Sequence, residues 1–111
     1  MKFEHYTKFD LAGISLENDT ERERLMLAGM GLGGEAGETC DHAKKVAFHG
    51  KDMDRDKLVA EMGDVLWYFA LLASLYDISL DEVMATNVFK LCDRYPHLHG
   101  KPLDVLDEQA T

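Results

Sequence analysis

The 111-residue chain is poor in cysteine, in cations and in strand signals. It has two cysteines, Cys40 and Cys92, and no C-x-x-C. Both fall in helical patterns, so they read as reduced, partly buried thiols of a cytoplasmic protein rather than as a disulfide. Lysine and arginine number 12 against 21 aspartates and glutamates, a net charge of −9. That balance excludes general binding to nucleic-acid polymers or to anionic membranes. It leaves phosphorylated small molecules open, because a bound metal and a few local cations reverse the field inside one pocket. The amino terminus, MKFEHYTKFD, has no apolar core of the kind a signal peptide needs. The longest apolar run, VLWYFALLASLY at 65–76, is too short to span a bilayer and reads as a core helix. No long period-2 alternation and no Asn-Gly or Asp-Gly turn is found, so no strand is expected.

An all-α chain of four helices remains, read as one domain over 1–111 whose last segment, 97–111, is an irregular tail. The first helix covers about 3–11, with Phe3, Tyr6 and Phe9 or Asp10 along one side, and a polar loop at 15–19 follows. Thr20 with Glu23 has the form of a capping box and opens the second helix, which ends near 48 ahead of Gly50. The third helix begins at 54 or 55 and runs to about 76. Leu58, Met62, Val65, Phe69, Leu72 and Tyr76 recur along it at three- and four-residue steps, the mark of a buried stripe. Ser79 with Glu82 makes another capping box and opens the fourth helix, whose apolar side carries Val83, Met84, Val88 and Leu91. Pro96 closes it. The segment GMGLGG at 29–34 is costly in a helix, at roughly 1 kcal/mol for each glycine relative to alanine. Two uses would justify it: a close helix crossing, or a bend that admits substrate to the backbone. A phosphate loop is disfavoured, because no strand precedes it and no Gly-Lys-Ser/Thr ends it.

Against this background two acidic pairs stand out. Glu35 and Glu38 lie in GGEAGET, and Glu61 and Asp64 in AEMGDVL. The i, i+3 spacing puts each pair on one face of a helix. Either pair alone is a common solvated surface feature. Together, each with glycine just ahead of its second acid (Gly37 and Gly63), they are far more specific. Four carboxylates directed into a shared space repel one another unless a hard divalent cation neutralises them, and Mg²⁺ prefers carboxylate and water oxygens. At 100° per residue, Glu35, Glu38, His42 and Lys45 share an arc of the second helix, and Lys57, Glu61, Asp64 and Tyr68 an arc of the third. Asn87, Lys90 and Arg94 align on the fourth. By charge, the four acids are the metal-holding and catalytic candidates, with Mn²⁺ able to replace Mg²⁺. Lys45, Lys90 and Arg94 suit phosphate oxygens, Arg94 with a bidentate grip. Asn87 suits a phosphate, sugar or metal-bound water, and Tyr68 on the acidic face is a candidate base contact. His42 reads as a supporting or partly exposed residue rather than a ligand, and Trp67, Tyr68 and Phe69 also serve as core.

GLGGEAGETCDHAKK, AEMGDVLWYFALLA and SLDEVMATNVFKLCDRYP, in this order and spacing, resemble the MazG-like nucleotide pyrophosphohydrolases. Those enzymes are all-α, with a four-helix-bundle-like fold, and carry E-E-x-x-E followed by E-x-x-D. The resemblance covers the second helix through Pro96. It implies Mg²⁺-dependent cleavage of a nucleoside triphosphate between the α and β phosphates, giving the monophosphate and pyrophosphate. Glu35 and Glu38 match the second and third acids of the first motif, and Glu61 and Asp64 the second motif. Gly34 stands where the family has its first glutamate, so that acid's role has no counterpart here. The resemblance further implies a homodimer or homotetramer with helices packed across subunits. Related scaffolds act on dUTP, dCTP or phosphoribosyl-ATP, and nothing in the sequence selects the base. A di-iron carboxylate bundle fails, because it needs Glu-x-x-His on two helices, whereas Glu38 and His42 are four apart and Glu61-x-x-Asp64 has no histidine. The non-enzymatic rivals are a nucleotide- or metal-binding module without turnover and a helical interaction domain with solvated acids.

Overall fold

A computed structural model describes residues 1–13, 20–95 and 97, the side chains of 9–13 excepted. The expected loop at 15–19, the tail beyond 97, Pro96 and the side chains of Phe9 and Asp10 lie outside the described residues. Four helices, α1 (Phe3–Gly13), α2 (Glu21–Phe48), α3 (Arg55–Leu75) and α4 (Leu80–Arg94), account for nearly all of what is described, with no strand among those residues.

Local chemistry sets the helix starts. Thr20, in extended backbone, accepts a hydrogen bond from the Glu23 amide at 3.1 Å, and its hydroxyl donates to the Glu23 carboxylate at 3.1 Å. Asp54 accepts from the Lys57 amide at 3.0 Å, and Ser79 from the Glu82 amide at 3.1 Å. Each cap satisfies one of the amide donors that a helix start leaves without an intrahelical partner. The end of α2 is as specific. Gly50 adopts φ +67°, and the amides of His49 and Lys51 both close on the Lys45 carbonyl. Glycine tolerates that left-handed backbone without a Cβ penalty.

The chain forms two compact units, Met1–Asp77 and Ile78–Thr111. In the first, α3 packs along α2 and is also met by α1. Phe3 of α1 lies against Phe69 of α3, ring centroids 6.0 Å apart and tilted by 58°, a favourable edge-inclined geometry. The buried residues of this unit are Ala28, His42, Glu61, Ala70, Leu71 and Ala73. The expected stripe on α3 is therefore only partly realised. Leu58, Val65, Phe69 and Leu72 are half-buried, whereas Met62 and Tyr76 are exposed. Leu71, off that stripe, is fully buried, because the C-terminal half of α3 is enclosed on more than one side. By length and mean hydropathy alone α3 would suffice to cross a membrane. It carries Glu61 and Asp64 and packs on α2.

In the second unit, α4 keeps Val83, Val88 and Leu91 half-buried and Cys92 buried. Met84 is exposed. The two cysteines are both free, Cys40 exposed and Cys92 buried.

Candidate functional site

Two contacts fix how α2 meets α3. Near one end of the crossing, Gly31 faces Tyr68 so closely that a Cβ at 31 would collide with the phenol ring. Near the other, His42 Nδ1 lies 2.9 Å from Glu61 Oε2. Contacts of 31 with 68 and of 42 with 61 require antiparallel helices. In that register Glu35 and Glu38 on α2 stand level with Asp64 on α3, between the two anchors. The glycine-rich segment is thus no break, since α2 runs through it unbroken. The close-crossing use holds at Gly31 alone, while added Cβ atoms at Gly29, Gly33, Gly34, Gly37 and Gly63 would meet nothing within 4 Å.

The four acids share this face but not one environment. Glu61 is buried at 8% exposure, Glu35 is half-buried, and Glu38 and Asp64 are exposed. An acid buried between two helices must be compensated, and for Glu61 His42 is that compensation. His42 is itself buried at 2% exposure. A carboxylate can only accept, so Nδ1 carries the shared proton. The expectation of a supporting role for His42 fits this pairing, and that of partial exposure does not. A polar residue on the α2 face that meets an apolar helix was the available signal. Its partner was hidden because it lies 19 positions away on another helix.

Lys45, one turn beyond His42, is paired with Asp41 at 2.8 Å across an i, i+4 step. The Asp41 hydrogen bond, and then its charge, raise the Lys45 pKa above the ordinary lysine value. The Lys45 hydrogen bond and charge hold Asp41 below the ordinary aspartate value. Both side chains are solvent-accessible, and Glu38 and Glu61 contribute further to the field at Lys45. A phosphate would compete with Asp41 for this ammonium. Tyr68 packs its ring over the α2 backbone at Gly31 and is half-buried. In the second unit, Asn87 and Lys90 line an open groove on α4 with Ile78, Glu82, Val83 and Thr86, and Arg94 is exposed in the last turn.

Among the described residues no three histidine, cysteine or acidic groups converge closely enough to encircle a cation. Mg²⁺ does not require that. It keeps several waters and binds through one or two carboxylates plus phosphate oxygens. An all-oxygen set of Glu35, Glu38, Glu61 and Asp64 on one helix crossing fits such an ion by donor chemistry.

The model of the MazG nucleotide pyrophosphohydrolase domain matches residues 25–99, which hold all four acids, His42 and the α4 residues. The Gene 37 protein of Mycobacterium phage L5 is 44% identical over 79 residues, 65% of this chain and 67% of the phage protein. The Uncharacterized protein YvdC of Bacillus subtilis (strain 168) is 42% identical over 43 residues, 39% of this chain and 41% of that protein. No solved structure matches. With an all-α fold, both acidic pairs on one helix crossing and a family match over most of its length, the chain belongs to the MazG nucleotide pyrophosphohydrolase domain family.

Proposed function

We propose that the protein hydrolyses nucleoside triphosphates, ribo or deoxy, between the α and β phosphates, in a Mg²⁺-dependent reaction that releases the monophosphate and pyrophosphate. The observation that carries this is the register of α2 against α3, which stands Glu35, Glu38 and Asp64 level beside the buried Glu61. Glu35, Glu38, Glu61 and Asp64 would hold the ion. When bound, Mg²⁺ (or Mn²⁺) would supply Lewis-acid polarisation of a phosphoryl oxygen and offset part of the charge of the four acids. One of these carboxylates would also orient the attacking water or accept its proton. In the first unit, Lys45 can exchange Asp41 for a phosphate; Asn87, Lys90 and Arg94 in the second unit are by chemistry an amide donor and two cations suited to phosphate oxygens. Tyr68 packs against Gly31, so any base contact falls to its hydroxyl or to the part of the ring turned away from α2.

We further propose a cytoplasmic protein and a homodimer or homotetramer; the support for the oligomer is apolar surface left open on both long helices. Met26 and Met30 are exposed one turn apart on α2, and Val59, Met62 and Leu66 along one side of α3. Contiguous exposed apolar surface of this kind marks interaction sites.

The test is product analysis after incubation with Mg²⁺ and a panel of canonical and modified nucleoside triphosphates. Monophosphate plus pyrophosphate is expected, lost in Glu38→Gln and in Glu61→Gln while the fold survives. Diphosphate plus phosphate would mean a different cleavage position. Turnover of phosphoribosyl-ATP alone would redirect the substrate. Mg²⁺-dependent thermal stabilisation by nucleotides without any product would leave a binding module.

A further inference from the structure

Glu61 differs from the other three acids in being tied down. Its Oε2 accepts the 2.9 Å hydrogen bond from His42 Nδ1, with the His42 side chain 1% and the Glu61 side chain 11% exposed. Both residues sit on rigid helix rather than on loop, and no other hydrogen bond competes for His42, whose Nε2 is buried without a partner among the described residues. The imidazole therefore has one polar contact, and that contact fixes one carboxylate oxygen. A carboxylate held by one oxygen keeps the other in a defined direction. A free glutamate would have to give up rotamer entropy on binding a cation. Ligating carboxylates elsewhere are oriented in this way by hydrogen-bonding neighbours, whose loss costs about 10–100-fold in metal affinity.

We propose that His42 is a positioning residue for the divalent cation. It touches neither ion nor substrate, but it locks Glu61 so that Oε1 alone is presented, while Glu35, Glu38 and Asp64 adapt. The inference rests on the reading of Glu61 as a metal ligand. It adds a fifth functional residue, outside both acidic motifs, and it predicts an order: one preset ligand and three that follow.

The test uses the full chain and Mn²⁺ alone, titrated without nucleotide and followed by the electron paramagnetic resonance signal of free Mn²⁺. Melting in EDTA scores the fold separately. His42→Leu is expected to weaken Mn²⁺ binding by about 10–100-fold. His42→Asn, whose amide nitrogen falls near the place of Nδ1, should recover most of that loss. His42→Gln, whose nitrogen falls nearer Nε2, should not. In a Glu61→Gln background the same His42 substitutions should cost little more, because the group they orient is gone. Wild-type Mn²⁺ affinity in a folded His42→Leu protein overturns the proposal. If that variant does not fold, equal affinities in the Asn and Gln variants overturn it. Absence of Mn²⁺ binding in the wild-type chain overturns this inference, and its absence also in the presence of a non-hydrolysable nucleoside triphosphate overturns the proposed function.

Discussion

Both halves of α3 carry large apolar side chains, and their fates in the structure are opposite. Beyond Phe69, Ala70, Leu71 and Ala73 are buried. Before it, Val59, Met62 and Leu66 are exposed, and the one buried residue is an acid, Glu61. The C-terminal half holds the unit together. The N-terminal half carries two of the proposed ligands, Glu61 and Asp64, together with exposed apolar side chains. Apolar content thus does not say which stretch of a helix is core. Enclosure by neighbouring elements does, and on α3 that enclosure is confined to one half.

The largest contrast is between Leu71 and Leu66. Leu71→Ala leaves a cavity in an enclosed site and should cost about 2–5 kcal/mol in urea denaturation. Leu66→Ala, on the 39% exposed residue, should cost about 0.5 kcal/mol or less in the isolated chain. A large Leu66 penalty that grows with protein concentration would show that a second copy covers the N-terminal half, and would sharpen the contrast into one between intra-chain and inter-chain core.

The glycines of α2 offer the next contrast. Gly31→Ala gains helix propensity but drives its methyl into the Tyr68 ring, for a net loss of about 1–3 kcal/mol by overpacking. Gly33→Ala meets nothing and should stabilise by up to about 1 kcal/mol. Equal effects at the two positions would break the register drawn from the Gly31–Tyr68 contact. If Gly33→Ala stabilises the chain but abolishes turnover, the open backbone there serves substrate or a partner subunit.

The smallest effect belongs to the exposed Asp41–Lys45 pair, set against the buried His42–Glu61 pair beside it. Asp41 is depressed in the folded state, so its contribution exists above the unfolded aspartate value and disappears as pH falls through the folded one. Lys45 is raised, so its contribution exists below the unfolded lysine value and disappears as pH rises through the folded one. The small difference in melting temperature between wild type and Lys45→Met should therefore be confined to the range between those limits. It should also shrink in high salt, which screens exposed pairs.

Much of this molecule could be read before it was seen. Thr20 and Ser79 were capping signals three residues ahead of a glutamate, and both cap as expected. Asp54 was one of two candidate starts, and it is the cap. Placing Glu35 and Glu38 on one face, and Glu61 and Asp64 on another, required only the helical period. Sequence says less wherever a residue's environment depends on a distant partner. Met62 and Tyr76 share the period of Leu58 and Leu72, yet they face solvent. The five glycines of α2 look alike in sequence, and one of them, Gly31, lies under a ring.

The sequence by itself determined the helices, their ends, and which side chains share a face, because caps, glycine stops and the 3.6-residue period act over three or four positions. It also carried the family through the order of its acidic blocks. Only the tertiary structure decided that Glu61 is the dry, anchored acid, that His42 is its anchor, and that Glu38 and Asp64 stay open to solvent. Those outcomes follow from the antiparallel register of α2 on α3, and a register is set by packing between residues far apart in the chain, where no local rule reaches.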